Sequence, residues 1–220
     1  MIVQIPSKKL DSNSYLVEEE GRVIIIDTGG DDLDAQIECR GWTPEYIFLT
    51  HEHFDHIKWL EQLRDRFDVP VVACELTSKR ICSVKTNLSN IADILTYYKT
   101  GVIAEERSRS YTCREADIVF EDTYELSWRG HRFCFERLPV HSPGSVIITM
   151  DGEAVFSGDY LIWQEEELLR LKGGSPEDYE QYARPVLERI PDGMCIYPGH
   201  GRIYTKGQDG SEDEDGGTND

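Results

Sequence analysis

The chain predicts an α+β fold in which two sheets pack together and helices cover their outer faces. Two observations carry that reading. Strand-like and helix-like segments alternate in both halves of the 220 residues, which is the pattern of layered sheets rather than a helical bundle. Residues 23–26 are a continuous apolar run that reads as a strand buried on both faces, and residues 46–50 read as another buried strand.

In chain order, residues 2–5, 15–19 and 23–27 read as short strands, the last two joined at Glu20-Gly21. Val23-Ile24-Ile25-Ile26 runs into the turn Asp27-Thr28-Gly29-Gly30, and a helix is expected over about 32–40. The strand at 46–50 is followed by a helix over about 54–67, with Ile57, Leu60, Leu63 and Phe67 on one face. A strand at 69–74 precedes a mostly helical stretch, 76–107, striped by Ile91, Ile94, Leu95 and Tyr98. Residues 124–128, 132–137, 146–150 and 154–156 read as strands. Ser175 is a good N-cap with Pro176 at the first helical position and Asp178 three residues after the cap, so a helix runs to about 190. It stops at Pro191-Asp192-Gly193, and a last strand, 194–197, leads into Pro198-Gly199-His200-Gly201.

Composition narrows the function classes. An apolar share of 39% suits a globular protein with a real core. The formal charge is −19, and six of the acids lie in residues 207–220, a Gly-rich stretch without a base that is expected to be a disordered tail. So acidic a body is unsuited to a phosphate backbone, so no nucleic acid is expected as a partner. No apolar run reaches the ~20 residues of a membrane span, and the N-terminus lacks a signal-peptide pattern. Cys39, Cys74, Cys82, Cys113, Cys134 and Cys195 form no Cys-x-x-Cys pair. They read as reduced thiols of a cytoplasmic protein.

The densest chemical signal is Thr50-His51-Glu52-His53-Phe54-Asp55-His56, which holds three of the chain's six histidines. Imidazoles and carboxylates at this spacing make half of a metal site. The other half comes from three loops at strand ends: His141 in His-Ser-Pro-Gly, Asp159 in Ser-Gly-Asp and His200 in Pro-Gly-His-Gly. A glycine beside each lets backbone approach closely. His131, in Trp128-Arg129-Gly130-His131, reads as a surface residue of a hairpin turn.

These four motifs, in this order, resemble the metallo-β-lactamase superfamily, and within it the hydroxyacylglutathione hydrolase (glyoxalase II) branch without its C-terminal helical domain. The resemblance spans about residues 1–205. It implies an αββα four-layer sandwich over 1–206 carrying two divalent metal ions at the sheet edges, zinc first, with iron or manganese as alternatives. By position, His51, His53 and His141 would hold one metal and Asp55, His56 and His200 the other, with Asp159 bridging. The implied chemistry is hydrolysis of a small ester, thioester or lactone by a bridging hydroxide, with Asp55 as the catalytic carboxylate. A persulfide-dioxygenase-like iron oxidoreductase, sharing the motifs, is the alternative. The β-lactamase classes of the superfamily lack the bridging acid that Asp159 represents, so a β-lactam substrate is disfavoured.

Asp27 matches a family position beside the site and would orient a ligand, or else cap its turn. His141 follows His56 by 85 positions, a longer gap than in compact relatives. The surplus, 76–112, reads as a helical insertion: a lid over a small-molecule substrate, or a structural pair used in a homodimer contact. Tyr97 and Tyr98 in it, and Tyr160 and Trp163 after the bridging Asp159, are candidate walls of the substrate pocket.

Overall fold

The alternation along β3 (Arg22–Ile26) shows why its run is apolar throughout. Val23 and Ile25 point to one face and Ile24 and Ile26 to the other, and all four are buried in two separate cores. In the computed structural model, which describes residues 1–103, 107–164 and 174–208, this strand lies inside a six-stranded sheet. Its order is β1 (Ile2–Pro6), β2 (Asn13–Glu19), β3, β4 (Thr43–Phe48), β5 (Val71–Cys74) and β6 (Ile118–Phe120). The first three strands are antiparallel and the rest parallel. The second sheet holds β7 (Thr123–Trp128), β8 (His131–Arg137), β9 (Val146–Met150), β10 (Ala154–Gly158), β11 (Cys195–Pro198) and β12 (Tyr204–Thr205), antiparallel except where β11 joins β10 in parallel.

Between the sheets, Ile24, Ile26, Phe48, Phe133, Phe135 and Phe156 form one buried cluster. Phe48 meets Phe135 and Phe133 edge-on at 4.9 and 5.3 Å between centroids, the arrangement the ring quadrupole favours. On the outer face of the first sheet, Val23, Ile25 and Val71 pack with Ile37 of α1 (Leu33–Cys39) and Leu60 and Leu63 of α2 (Leu60–Phe67). On the outer face of the second, Ile147 and Val140 pack with Tyr179, Ala183 and Leu187. These belong to a helical run of α5 (Pro176–Asp178), a π-helical segment (Tyr179–Ala183) and α6 (Arg184–Glu188). Ser175 Oγ accepts from the Asp178 amide at 3.1 Å, as an N-cap should. Pro185, with no N–H to give, sits next to the π-helical turn. The layers are helix, sheet, sheet, helix, which is the αββα sandwich.

Several elements differ from the sequence reading. The helix expected from 54 begins only at Leu60. Residues before it spend their backbone groups on the neighbouring turn: Thr28 N donates to His56 O (2.7 Å) and Trp59 N to Thr28 O (3.0 Å). The stretch 76–107 breaks into α3 (Glu75–Ile81), a 3₁₀ turn (Ser89–Ile91) and α4 (Ala92–Thr100), with Leu88 in the left-handed region at φ 64° before the turn. The short strands β6 and β12 carry too little pattern to be read in advance. All six cysteines are free thiols. No described helix is long and apolar enough to cross a membrane. The expected acidic tail lies, from residue 209, outside the described residues, as do 104–106 of the expected insertion.

Candidate metal centre

Four loops at one edge of the sandwich carry the chemistry. The 50–56 run leaves the C-terminal end of β4, His141 follows β8, Asp159 follows β10 and His200 follows β11. The Asn13 amide donates to Gly199 O at 2.7 Å and Tyr15 Oη donates to Pro198 O at 2.6 Å, so the last loop is tied to the first sheet. His51, His53, His141 and Asp159 present ligand atoms within 4.8 Å of one another, and so do Asp55, His56 and His200.

Asp159 faces both groups. Its Oδ2 is 3.3 Å from His141 Nε2, 3.8 Å from His51 Nε2 and 3.5 Å from His200 Nε2, while Oδ1 is 3.2 Å from His56 Nε2. Asp55 Oδ2 lies 3.4 Å from His200 Nε2 and 3.8 Å from His56 Nε2. His53 Nδ1 and His141 Nε2 face one another at 2.9 Å. His51 Nε2 is buried without a hydrogen-bond partner among the described residues, 3.8 Å from Asp159 Oδ2. Buried polar atoms left unpaired are costly, and an imidazole nitrogen facing a carboxylate in this way is what a divalent cation would satisfy. The donor set fits two such ions.

Asp27 sets the ring tautomers. It ends β3 in the left-handed region at φ 55°, which Asp tolerates better than most residues. That turn aims its buried carboxylate at Thr50 and His56. Asp27 accepts from Thr50 N (2.8 Å), Thr50 Oγ1 (2.6 Å) and His56 Nδ1 (2.9 Å). With its hydroxyl proton committed to Asp27, Thr50 Oγ1 accepts from His51 Nδ1 at 3.0 Å. Both rings thus carry a proton on Nδ1 and direct Nε2 inward as the atom that would ligate. Thr50, which the sequence reading did not single out, is the relay.

Charge follows the same division. Burial holds His51, His53 and His141 below the ordinary imidazole range, His53 down to about 3, so these three rings are neutral and ready to ligate. Burial would lower His56 and His200 as well, but Asp159 and Asp55 overcome it: His56 rises well above its usual value and His200 to about 9. The Lys99 ammonium, 2.8 Å from His200 Nδ1, opposes that protonation. The Leu10 carbonyl, 3.1 Å from the same nitrogen, competes with Lys99: a lone pair on Nδ1 accepts from the ammonium, whereas a proton on Nδ1 donates to the carbonyl. Asp55 and Asp159 stay ionised: burial alone would raise them, but the surrounding histidines hold both below the usual carboxylate range.

Two further features support the loops. Glu52, fully buried between His51 and His53, accepts from Arg80 Nε of α3 and from Ser142 Oγ at 2.8 Å, clamping the His51–His53 stretch to the His141 loop. Gly199 leaves no room for a side chain, since a Cβ there would sit 2.3 Å from Asp159 Oδ1 and 2.9 Å from His56 Cε1.

The candidate pocket residues fall elsewhere. Tyr160 is turned into the core. Its hydroxyl accepts from the His141 amide at 2.7 Å and donates to Leu138 O at 2.5 Å, which fixes the His141 loop. Trp163 packs on Tyr204 (4.9 Å between centroids) beneath Arg202. Tyr97 and Tyr98 are exposed on α4. His131 starts β8 and pairs with Asp151 (2.6 Å), away from the metal-type groups. A cavity of about 260 Å³ is instead lined by Asp55, Phe54, Leu10 and Tyr111, among others.

Residues 8–200 match the profile of the metallo-beta-lactamase superfamily. The sequence is 28% identical over 201 residues to a "probable metallo-hydrolase" of Bacillus subtilis, covering 90% of this chain and 89% of that protein. A hydroxyacylglutathione hydrolase of Brucella ovis is 31% identical over 94 residues, 40% of this chain and 36% of that protein. Among solved structures, the BLEG-1 B3 metallo-beta-lactamase superposes with a TM-score of 0.77 at 27% identity, over 93% of this chain and 94% of that one. The protein TTHA1623, in a di-iron-bound form, does so with a TM-score of 0.67 at 28% identity, over 92% and 94%.

Proposed function

Because this chain belongs to the metallo-β-lactamase superfamily, we propose that it is a dinuclear metal-dependent hydrolase of a small ester, thioester or lactone. The observation that carries the proposal is Asp159, a buried carboxylate with one oxygen toward His51 and His141 and the other toward His56. His51, His53 and His141 would hold one cation, Asp55, His56 and His200 the other, and Asp159 both. When bound, two such cations supply Lewis acidity and bring water from a pKa of 15.7 toward ~7.

The chain's own groups do the rest. Asp27 and Thr50 hold His51 and His56 in the ligating tautomer. Asp55 lines the cavity beside the centre as an ionised carboxylate, placed to take a proton from the nucleophile and pass it to a leaving group. Phe54 and Leu10 wall the same cavity with apolar surface, which limits water around the reacting bond.

A β-lactam amide is the second reading, favoured by the likeness to a B3 metallo-beta-lactamase. The di-iron form of TTHA1623 makes iron as reasonable a metal as zinc, which keeps the oxidoreductase alternative open to test. The assay is hydrolysis by metal-loaded protein of a thioester, a 4-nitrophenyl ester, a lactone and nitrocefin, beside oxygen uptake with a persulfide. The proposal expects turnover of a carbonyl ester or thioester that disappears in Asp159→Ala. Turnover of nitrocefin alone, or oxygen uptake without hydrolysis, overturns it.

A further inference from the structure

We propose that the cavity beside Asp55 is an acyl pocket for substrates that carry a carboxylate, with Lys9 and Arg109 as the anion-binding pair. This rests on the hydrolase reading above and names the substrate class of that site.

The cavity has the right size and lining for a short acyl chain. At about 260 Å³ it falls just below the ~300–1,000 Å³ typical of sites for drug-sized ligands. Leu10, Phe54, Ala92 and the ring of Tyr111 give it apolar walls, and Asp55 marks the end nearest the metal-type groups. An acyl chain there would place its carbonyl beside Asp55.

Its charge runs against the rest of the molecule. Acids outnumber bases 42 to 23 in the chain, yet Lys9, Lys58 and Arg109 line this cavity and Asp55 is the one acid among the lining residues. Asp55 is already committed to His56 and His200. Lys58 is engaged by Asp31 at 3.3 Å. Lys9 and Arg109 make no ion pair among the described residues. Asp93 is the acid whose charge senses Lys9, and it already accepts the Ser108 amide at 3.0 Å. Two exposed cations without ion-pair partners among the described residues, in the lining of an apolar pocket, select an anion, and the Arg fork suits a carboxylate.

Both cations sit on anchored backbone. The loop of Lys9 is closed by Ser7 N to Ser12 O (2.8 Å) and Asp11 N to Ser7 O (2.9 Å), and the Lys8 amide donates to Asp31 (2.8 Å). Arg109 lies between Ser108, held by Asp93, and Tyr111, whose amide donates to Ser89 Oγ at 3.1 Å and whose hydroxyl donates to Phe54 O. Such anchoring lowers the ordering cost of binding. It also gives residues 76–112 a role in choosing the substrate, since Ala92, Thr96, Arg109 and Tyr111 all come from that segment.

The test compares two esters with the same leaving group on metal-loaded full-length protein: mono-4-nitrophenyl glutarate and 4-nitrophenyl valerate, which differ by a terminal carboxylate for a methyl. The inference expects the glutarate ester to be preferred in kcat/KM by about tenfold at low ionic strength, a difference of ~1.4 kcal/mol. Added salt should erode the preference. The double variant Lys9→Gln, Arg109→Gln should bring the ratio of the two kcat/KM values close to one, through KM rather than kcat. Equal turnover of both esters by the unaltered protein overturns the inference and leaves the hydrolase reading standing. If neither ester is turned over, simple esters are removed from the hydrolase reading, which then stands on its thioester and lactone assays. Glutarate binding by calorimetry then decides the pocket: about tenfold weaker binding in the double variant supports it, and equal binding overturns it.

Discussion

Replacing Asp27 by Asn removes one charge and almost no volume, yet it should disable the second metal position more than the first. The buried carboxylate accepts three hydrogen bonds, from Thr50 N, Thr50 Oγ1 and His56 Nδ1. An amide offers one acceptor oxygen and a nitrogen that only donates. One oxygen can keep the Thr50 amide, but the nitrogen then confronts His56 Nδ1–H. The ring resolves the clash by moving its proton to Nε2, the nitrogen that must ligate. Loss of an outer partner of this kind costs ~10–100-fold in metal affinity, or ~1.4–2.7 kcal/mol. His51 feels the change only through Thr50, so its site should lose less. The assay is competitive titration of metal-depleted protein against a chromophoric chelator, with circular dichroism to verify the fold. Thr50→Val is the complement: it removes the relay to His51 and leaves the Asp27–His56 bond, so its larger loss should fall on the first site. Unchanged affinity at both sites in folded Asp27→Asn would refute the tautomer argument.

Three further outcomes follow. Gly199→Ala would force a methyl to within 2.3 Å of Asp159 Oδ1, so metal stoichiometry should fall below two per chain while far-ultraviolet dichroism stays unchanged. Second-site affinity should rise with pH, with the His200 contribution levelling off above about 9. A metal there must displace protons that Asp159 and Asp55 hold on His56 and His200, at up to tenfold per pH unit for each proton. First-site affinity should stay flat over the same range because His51, His53 and His141 are already neutral, and calorimetry in two buffers would count the protons. Glu52→Gln strips the partly exposed Arg80 of its buried anion and should cost about 3 kcal/mol in denaturant unfolding; a loss under 0.5 kcal/mol would leave the clamp without energetic content.

Much of the architecture can be read from the chain, because burial on both faces forces continuous apolar strands such as 23–26 and glycine marks the loops that bring ligands together. The 54–59 segment misleads because its apolar spacing looks helical, while its backbone is claimed by Thr28 across the sheet edge. The supporting shell is harder to see. Glu52 finds Arg80 28 positions away and Ser142 90 positions away, so no local pattern announces the clamp. Lys9 and Arg109 meet at one cavity from opposite sides of the first sheet's sequence, and each alone looks like any surface cation. Of the aromatics read as pocket walls, Tyr160 serves the His141 loop through its hydroxyl and Tyr97 and Tyr98 face solvent, whereas Phe54 and Tyr111 line the cavity beside Asp55.

Whether Asp159 joins two metal positions in one centre is decided by the metal stoichiometry of the protein at saturation, by elemental analysis, beside that of Asp159→Ala. Two divalent ions per chain are expected in the unaltered protein and at most one in the variant. A single ion per chain in the unaltered protein, or two tightly held ions in the variant, would overturn this bridging role.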